Sequence, residues 1–130
     1  MATVLVIDDE ADVLELVQNA LESRGIHVEV ASDDQTATQL IEKHNGDFTA
    51  LVADINLGVG VTGFDIARQA RQHNPDLKVI YITGHASHLD KFGVPDSVMV
   101  PKPFYPHELA DQVVGLIWPE GPEGEAPTQQ

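Results

Sequence analysis

The sequence predicts an α/β protein with a single parallel sheet covered by helices on both faces. Two observations carry this. Short, β-branched apolar runs alternate along the chain with segments whose apolar residues recur at spacings of three and four. The junctions between them are punctuated by Gly, Pro, Asn and Asp. Alternation of this kind implies right-handed crossovers between parallel neighbours.

Thr3–Asp8 (TVLVID) is nearly continuous in apolar residues, reads as a strand covered on both faces, and ends in acid. From Ala11 to Arg24, Val13, Leu16, Val17, Ala20 and Leu21 form a helical stripe that Gly25 closes. Ile26–Val30 alternates apolar residues with His27 and Glu29, the pattern of a less covered strand near a sheet edge. Ser32 or Asp33 can cap a second helix with Ala37, Leu40 and Ile41 inward, ending at Asn45-Gly46. Phe48–Asp54 (FTALVAD) is a buried strand that again ends in a carboxylate. A glycine-rich loop follows, then a helix from about Gly63 to His73 stopped by Asn74-Pro75. Leu77–Thr83 is the fourth strand, His85–Phe92 is read as a short helix, and Val98–Val100 is a brief fifth strand. Pro106 suits a first helical position, and Leu109, Ala110, Val113, Leu116 and Ile117 supply the last buried stripe. The final segment, PEGPEGEAPTQQ, carries no large apolar residue, so residues 119–130 are expected to be a flexible acidic tail after a domain spanning 1–118.

Composition narrows the function. With 130 residues there is room for one domain, and 7 Lys+Arg against 21 Asp+Glu leave a net charge of −14. Nucleic-acid binding, which needs a basic footprint, is disfavoured. No apolar run approaches the roughly 18 residues of a membrane span. MATVLVIDDE lacks the basic start of a signal peptide, and the absence of cysteine excludes disulfide and thiolate chemistry, so a cytoplasmic location is expected.

In an open parallel sheet, ligands bind beyond the carboxyl ends of the strands. Those ends carry Asp8-Asp9, Asp54, Thr83 and, just past the fifth strand, Lys102. Carboxylates gathered without His or Cys suit a hard cation such as Mg²⁺ rather than zinc. A Thr hydroxyl and a Lys ammonium beside them suit a phosphoryl group. Simpler roles exist for each residue: Asp9 and Glu10 can cap the first helix, Lys102 can be a plain salt-bridge partner of Asp54, and Thr83 can be an ordinary strand residue. The conjunction is what carries the reading.

The segments VLVIDDE (Val4–Glu10), LVADIN (Leu51–Asn56), VIYITG (Val79–Gly84) and PKPF (Pro101–Phe104) resemble, in this order, the receiver domain of two-component response regulators over about residues 3–118. The resemblance implies a flavodoxin-like (βα)5 fold with strand order 2-1-3-4-5, an order the family supplies and for which a chemotaxis receiver is a standard example. It implies that Asp54 accepts a phosphoryl group from a sensor histidine kinase or a histidine phosphotransfer protein. Asp9, Asp54 and the backbone carbonyl of Asn56 would ligate Mg²⁺, with Asp8 acting through a metal-bound water. Thr83 and Lys102 would hold phosphoryl oxygens, and Asn56 and His85 would tune how long the group survives. Output would pass to another protein through residues 85–118, and a homodimer is compatible with this. The chain is then a signalling switch rather than an enzyme.

Two departures from the family pattern stand out. Where a Pro and a Gly commonly follow the acceptor by four and eight residues, this chain has Gly58 and Thr62, with the glycine delayed to Gly63. Met99 stands where an aromatic switch residue is often found three before the lysine. Gly58–Gly63 also forms a formal G-x-G-x-x-G, but it follows the wrong strand and Asp54 would repel a pyrophosphate. The other readings are an intermediate carrier in a phosphorelay, a Mg²⁺-dependent aspartyl-phosphate hydrolase, for which Asp8-Asp9-Glu10 does not supply the expected DxD, and a phosphorylation-independent interaction module of the same fold. His85 and His88 lack further ligands for zinc. Trp118 is expected to cover the end of the last helix.

Overall fold

Nine elements follow one another in a computed structural model that describes residues 2–57, 61–84 and 93–119. They are β1 (Thr3–Ile7), α1 (Ala11–Glu22), β2 (His27–Ala31), α2 (Asp34–His44), β3 (Ala50–Asp54), α3 (Gly63–His73), β4 (Lys78–Thr83), β5 (Ser97–Pro101) and α4 (Pro106–Ile117). All strand pairings are parallel and the order is β2-β1-β3-β4-β5, the flavodoxin-like arrangement. The helix expected over His85–Phe92 and the tail from residue 120 lie outside the described residues.

The period of two along each strand divides the core into two layers. Leu5, Ile7, Leu51, Ala53, Val79 and Tyr81 face α2 and α3, whereas Val4, Val6, Val52, Ile80, Ile82 and Val100 face α1 and α4. Trp118 packs against the second layer, as expected of a residue covering the end of α4.

Element ends differ from the sequence reading by one or two residues, and α1 differs in phase. Its buried residues are Leu14, Val17 and Leu21, with Val13 and Ala20 on the flank, while Leu16 is 54% exposed. Both leucines satisfy a three-to-four spacing, and the approach of α4 decides between them. Helix α1 also stops at Glu22, and Gly25 takes the left-handed backbone further on, at φ +79°. Helix α2 is capped by Asp33, whose carboxylate accepts the Thr36 N–H at 2.7 Å. It ends on Asn45 at φ 43°.

Candidate functional site

Strand periodicity sets the stage for the site. Asp54 closes β3 in the series that includes Val52, so it sits on the α1/α4 side of the sheet at its carboxyl edge. Asp8 follows β1 directly, and the two carboxylates are buried, at 3% and 0% exposure. Burying charge beside charge is costly unless a cation shares the space. Lys102, one residue past β5, is that cation: its Nζ lies 3.1 Å from Asp54 Oδ2, 3.2 Å from Glu10 Oε1 and 3.5 Å from Asp8 Oδ2. Its backbone is fixed as well, because the Lys102 N–H donates to the Thr83 carbonyl at 2.7 Å.

The electrostatics follow from this packing. Burial pushes the Asp8 carboxyl up to about 6; the Glu10 N–H, which donates to Oδ1 at 2.9 Å, opposes that rise, the nearby Asp54 charge adds to it, and Lys102 opposes it. For Lys102, burial acts to lower the ammonium, but the hydrogen bond and charge of Asp54, with Asp8 and Glu10, more than offset it and hold the group above its ordinary range. Asp54 is held from two sides, since Oδ1 accepts the Asn56 N–H at 2.9 Å and Oδ2 faces Lys102.

The donor set fits a hard divalent ion. Asp8, Asp9 and Glu10 bring one ligand atom each to within 4.8 Å of one another. Asp8 Oδ2 is buried and accepts no hydrogen bond, which leaves an oxygen whose desolvation an ion would relieve. Asp54 shares the Lys102 ammonium with Asp8 and Glu10.

The connection after Asp54 is closed tightly. Asn56, exposed at the sheet edge, forms an antiparallel bridge with Thr62, and the Gly63 N–H donates to the Ile55 carbonyl at 2.9 Å. A Cβ on Gly63 would meet the Asp54 carbonyl oxygen at 2.4 Å, so only glycine permits this approach. The delayed glycine of the sequence therefore still packs against the end of β3. Thr62 and Asp65 complete a reciprocal capping box at the start of α3.

Thr83 ends β4 and is 3% exposed, opposite Pro101 in the β4–β5 register. Met99 is half-buried and lies opposite Tyr81, whose hydroxyl oxygen accepts the Val94 N–H at 3.0 Å. Tyr81 is fully buried and edge-on to Phe64, and burial raises its phenol. An aromatic hydroxyl thus sits on β4 rather than β5, a placement the motif comparison did not single out. His85, together with residues 58–60, lies outside the described residues. The sequence suggests Glu10 as a cap, yet it makes no capping bond with its side chain. Its partner is 92 residues away, beyond the reach of any local pattern. Beside Lys102, a groove of about 420 Å³ is lined by Val13, Leu16, Pro103, Phe104 and Pro106.

Comparison with known proteins gives a consistent result. The response regulator receiver domain family matches residues 4–114. The response regulator receiver protein CpdR of Brucella abortus (strain 2308) is 28% identical over 120 residues, covering 90% of this chain and 98% of its own length. The sensor kinase CckA of the same strain is 31% identical over 119 residues, covering 89% of this chain and 12% of the kinase. Among solved structures, a response regulator receiver protein from Sinorhizobium medicae WSM419 aligns with a TM-score of 0.83 at 32% identity, over 89% of this chain and 94% of that one.

Proposed function

The chain belongs to the response regulator receiver domain family, and on that premise we propose that it is a signalling switch phosphorylated on Asp54. Receiver domains are signalling switches, and the observation that carries the finer reading is the position of Asp54. It is a buried carboxylate ending β3, with one oxygen held by the Asn56 N–H and the other 3.1 Å from the Lys102 ammonium.

In this reading a carboxylate oxygen of Asp54 attacks the phosphorus of a phosphohistidine on a partner kinase or phosphotransfer protein. The O–P bond forms as the P–N bond breaks, and the departing imidazole nitrogen takes up a proton. Lys102 turns from Asp54 toward a phosphoryl oxygen, and the Thr83 hydroxyl donates to another. Asp8, Asp9, Asp54 and the backbone carbonyl of Asn56 would hold Mg²⁺, which when bound neutralises charge on the phosphoryl oxygens. Hydrolysis returns the carboxylate, at a rate to which Asn56 and His85 contribute. Because Thr83 and Lys102 are joined through their backbones, capture of the phosphoryl group would shift the balance between two arrangements of the β4–β5 side.

Residues 1–118 form the switch in this reading, and 119–130 are a tail. Output passes to another protein through residues 85–118. A homodimer is compatible with this. An intermediate role in a phosphorelay differs only in the fate of the group, which would leave faster to a histidine phosphotransfer protein than to water. The location expected is cytoplasmic; among the described residues no helix is long and apolar enough to cross a membrane.

The test is intact mass after incubation with acetyl phosphate, with and without Mg²⁺. The native chain is expected to gain one acid-labile phosphoryl group only with Mg²⁺, and Asp54→Ala none. A gain that survives in Asp54→Ala would move the acceptor elsewhere.

A further inference from the structure

The side chain of Glu10 has no structural task at its own position. Glu10 is the N-cap of α1, with an extended backbone at φ −99° and ψ 115°, but it returns no hydrogen bond to the helix. Its backbone N–H is committed to Asp8 Oδ1, which fixes where the side chain starts. From there the carboxylate reaches across to Lys102 Nζ at 3.2 Å while remaining 62% exposed itself. The ammonium has three N–H donors, and three carboxylates surround it: Asp54, Glu10 and Asp8.

Resting on the reading of Asp54 as phosphoacceptor, we propose that Glu10 is a positioning residue that competes with the phosphoryl group for Lys102 and so weakens retention of that group. Turning from Asp54 toward a phosphoryl oxygen moves the ammonium, and its 3.2 Å contact with Glu10 has to stretch or bend as it goes. The backbone of Lys102 is tied to Thr83 through its N–H, so the side chain is the part that adjusts first. Glu10 is the dispensable anchor of the three: Asp8 and Asp54 are buried beneath the ammonium, whereas Glu10 reaches it from solvent.

The experiment is titration with beryllium fluoride, a non-covalent phosphoryl mimic, at saturating Mg²⁺. It compares native protein with Glu10→Gln and Glu10→Asp, in the native and the Lys102→Met backgrounds. Glu10 is exposed and makes no cap, so these variants are expected to fold. Both should tighten mimic binding about three- to five-fold, the upper range for an exposed ion pair. Neither should change it when Lys102 is Met. The aspartate is one methylene shorter, so it keeps the charge but not the contact. Behaviour like the native protein would assign the effect to charge at a distance and overturn the proposal. Equal tightening in both backgrounds, unchanged affinity, or weaker binding in the native background would overturn it too, the last by making Glu10 part of the ion site. If the native protein neither binds the mimic nor gains a phosphoryl group, the assignment of Asp54 falls and this inference with it. If it does both and the Glu10 variants match it, only the inference falls.

Discussion

Helices α1 and α3 enter the same edge of the sheet after strands that deliver the two buried carboxylates, yet their junctions are built differently. At α3 the acid is turned inward on the chain: Asp65 and Thr62 close a capping box, Arg68 pairs with Asp65, and Gly63 presses the helix start against Asp54. At α1 the N-cap side chain leaves the helix unattended and goes to Lys102. Acid at a strand–helix junction thus serves local folding or the site's charge balance, and what separates the two is whether its oxygen returns to its own backbone.

The largest effect that would sharpen this contrast lies in Asp8. Its folded pKa of about 6 stands above the 3.8 of an unperturbed carboxyl, so the folded state holds the proton more tightly. Stability should be fully present below about 3.8 and fall as pH rises through about 6, by on the order of 3 kcal/mol. A native-minus-Asp8→Asn difference profile from urea unfolding checks this, and a flat difference would refute it. Mg²⁺ favours the ionised form, so its stabilising effect should appear above about pH 6 and fade below it. Next in size is Gly63→Ala. Its Cβ collides with backbone, which should cost about 2–3 kcal/mol by urea midpoint and weaken binding of phosphoryl mimics. If the variant is as stable as the native chain, the tight approach at α3 is not obligatory. The smallest effects separate the two caps directly. Thr62→Ala should cost about 1 kcal/mol. Glu10→Ala should stay within about 0.5 kcal/mol. Equal losses would erase the distinction between the junctions.

Much of this was legible in the chain because strand ends announce themselves. The runs closing on Asp8, Asp54 and Thr83 are short, β-branched and followed by glycine or helix patterning, so their polar last residues could be placed on one edge before any coordinates. The sheet order, and the roles proposed for Asp54 and Lys102, come from the resemblance of four motifs. What local pattern could not deliver depended on partners far away in sequence. Leu14 and Leu16 fit the helical period equally well, and only packing against α4 turns Leu14 inward. Glu10 occupies the N-cap position of α1, but its side chain makes no capping bond. Gly63 was visible as a glycine out of place, but its reason is the carbonyl of Asp54 beneath it. The bond from the Val94 N–H to Tyr81 likewise joins segments that no periodicity relates.

The packing of α1 and α4 on one face of the sheet has a consequence for how the protein is made. Arg24, two residues past α1, pairs with Asp111 at 2.7 Å and donates to the His107 carbonyl at 3.2 Å, so the chain leaving α1 is tied to α4. Val4 and Val6, in β1, share their apolar layer with Leu109 and Val113. During synthesis at about 5–20 residues per second, that side of the sheet has only α1 to cover it for several seconds until α4 emerges from the ribosome. A nascent chain stalled before Pro106 should be a client of chaperones, and one released beyond Trp118 should not.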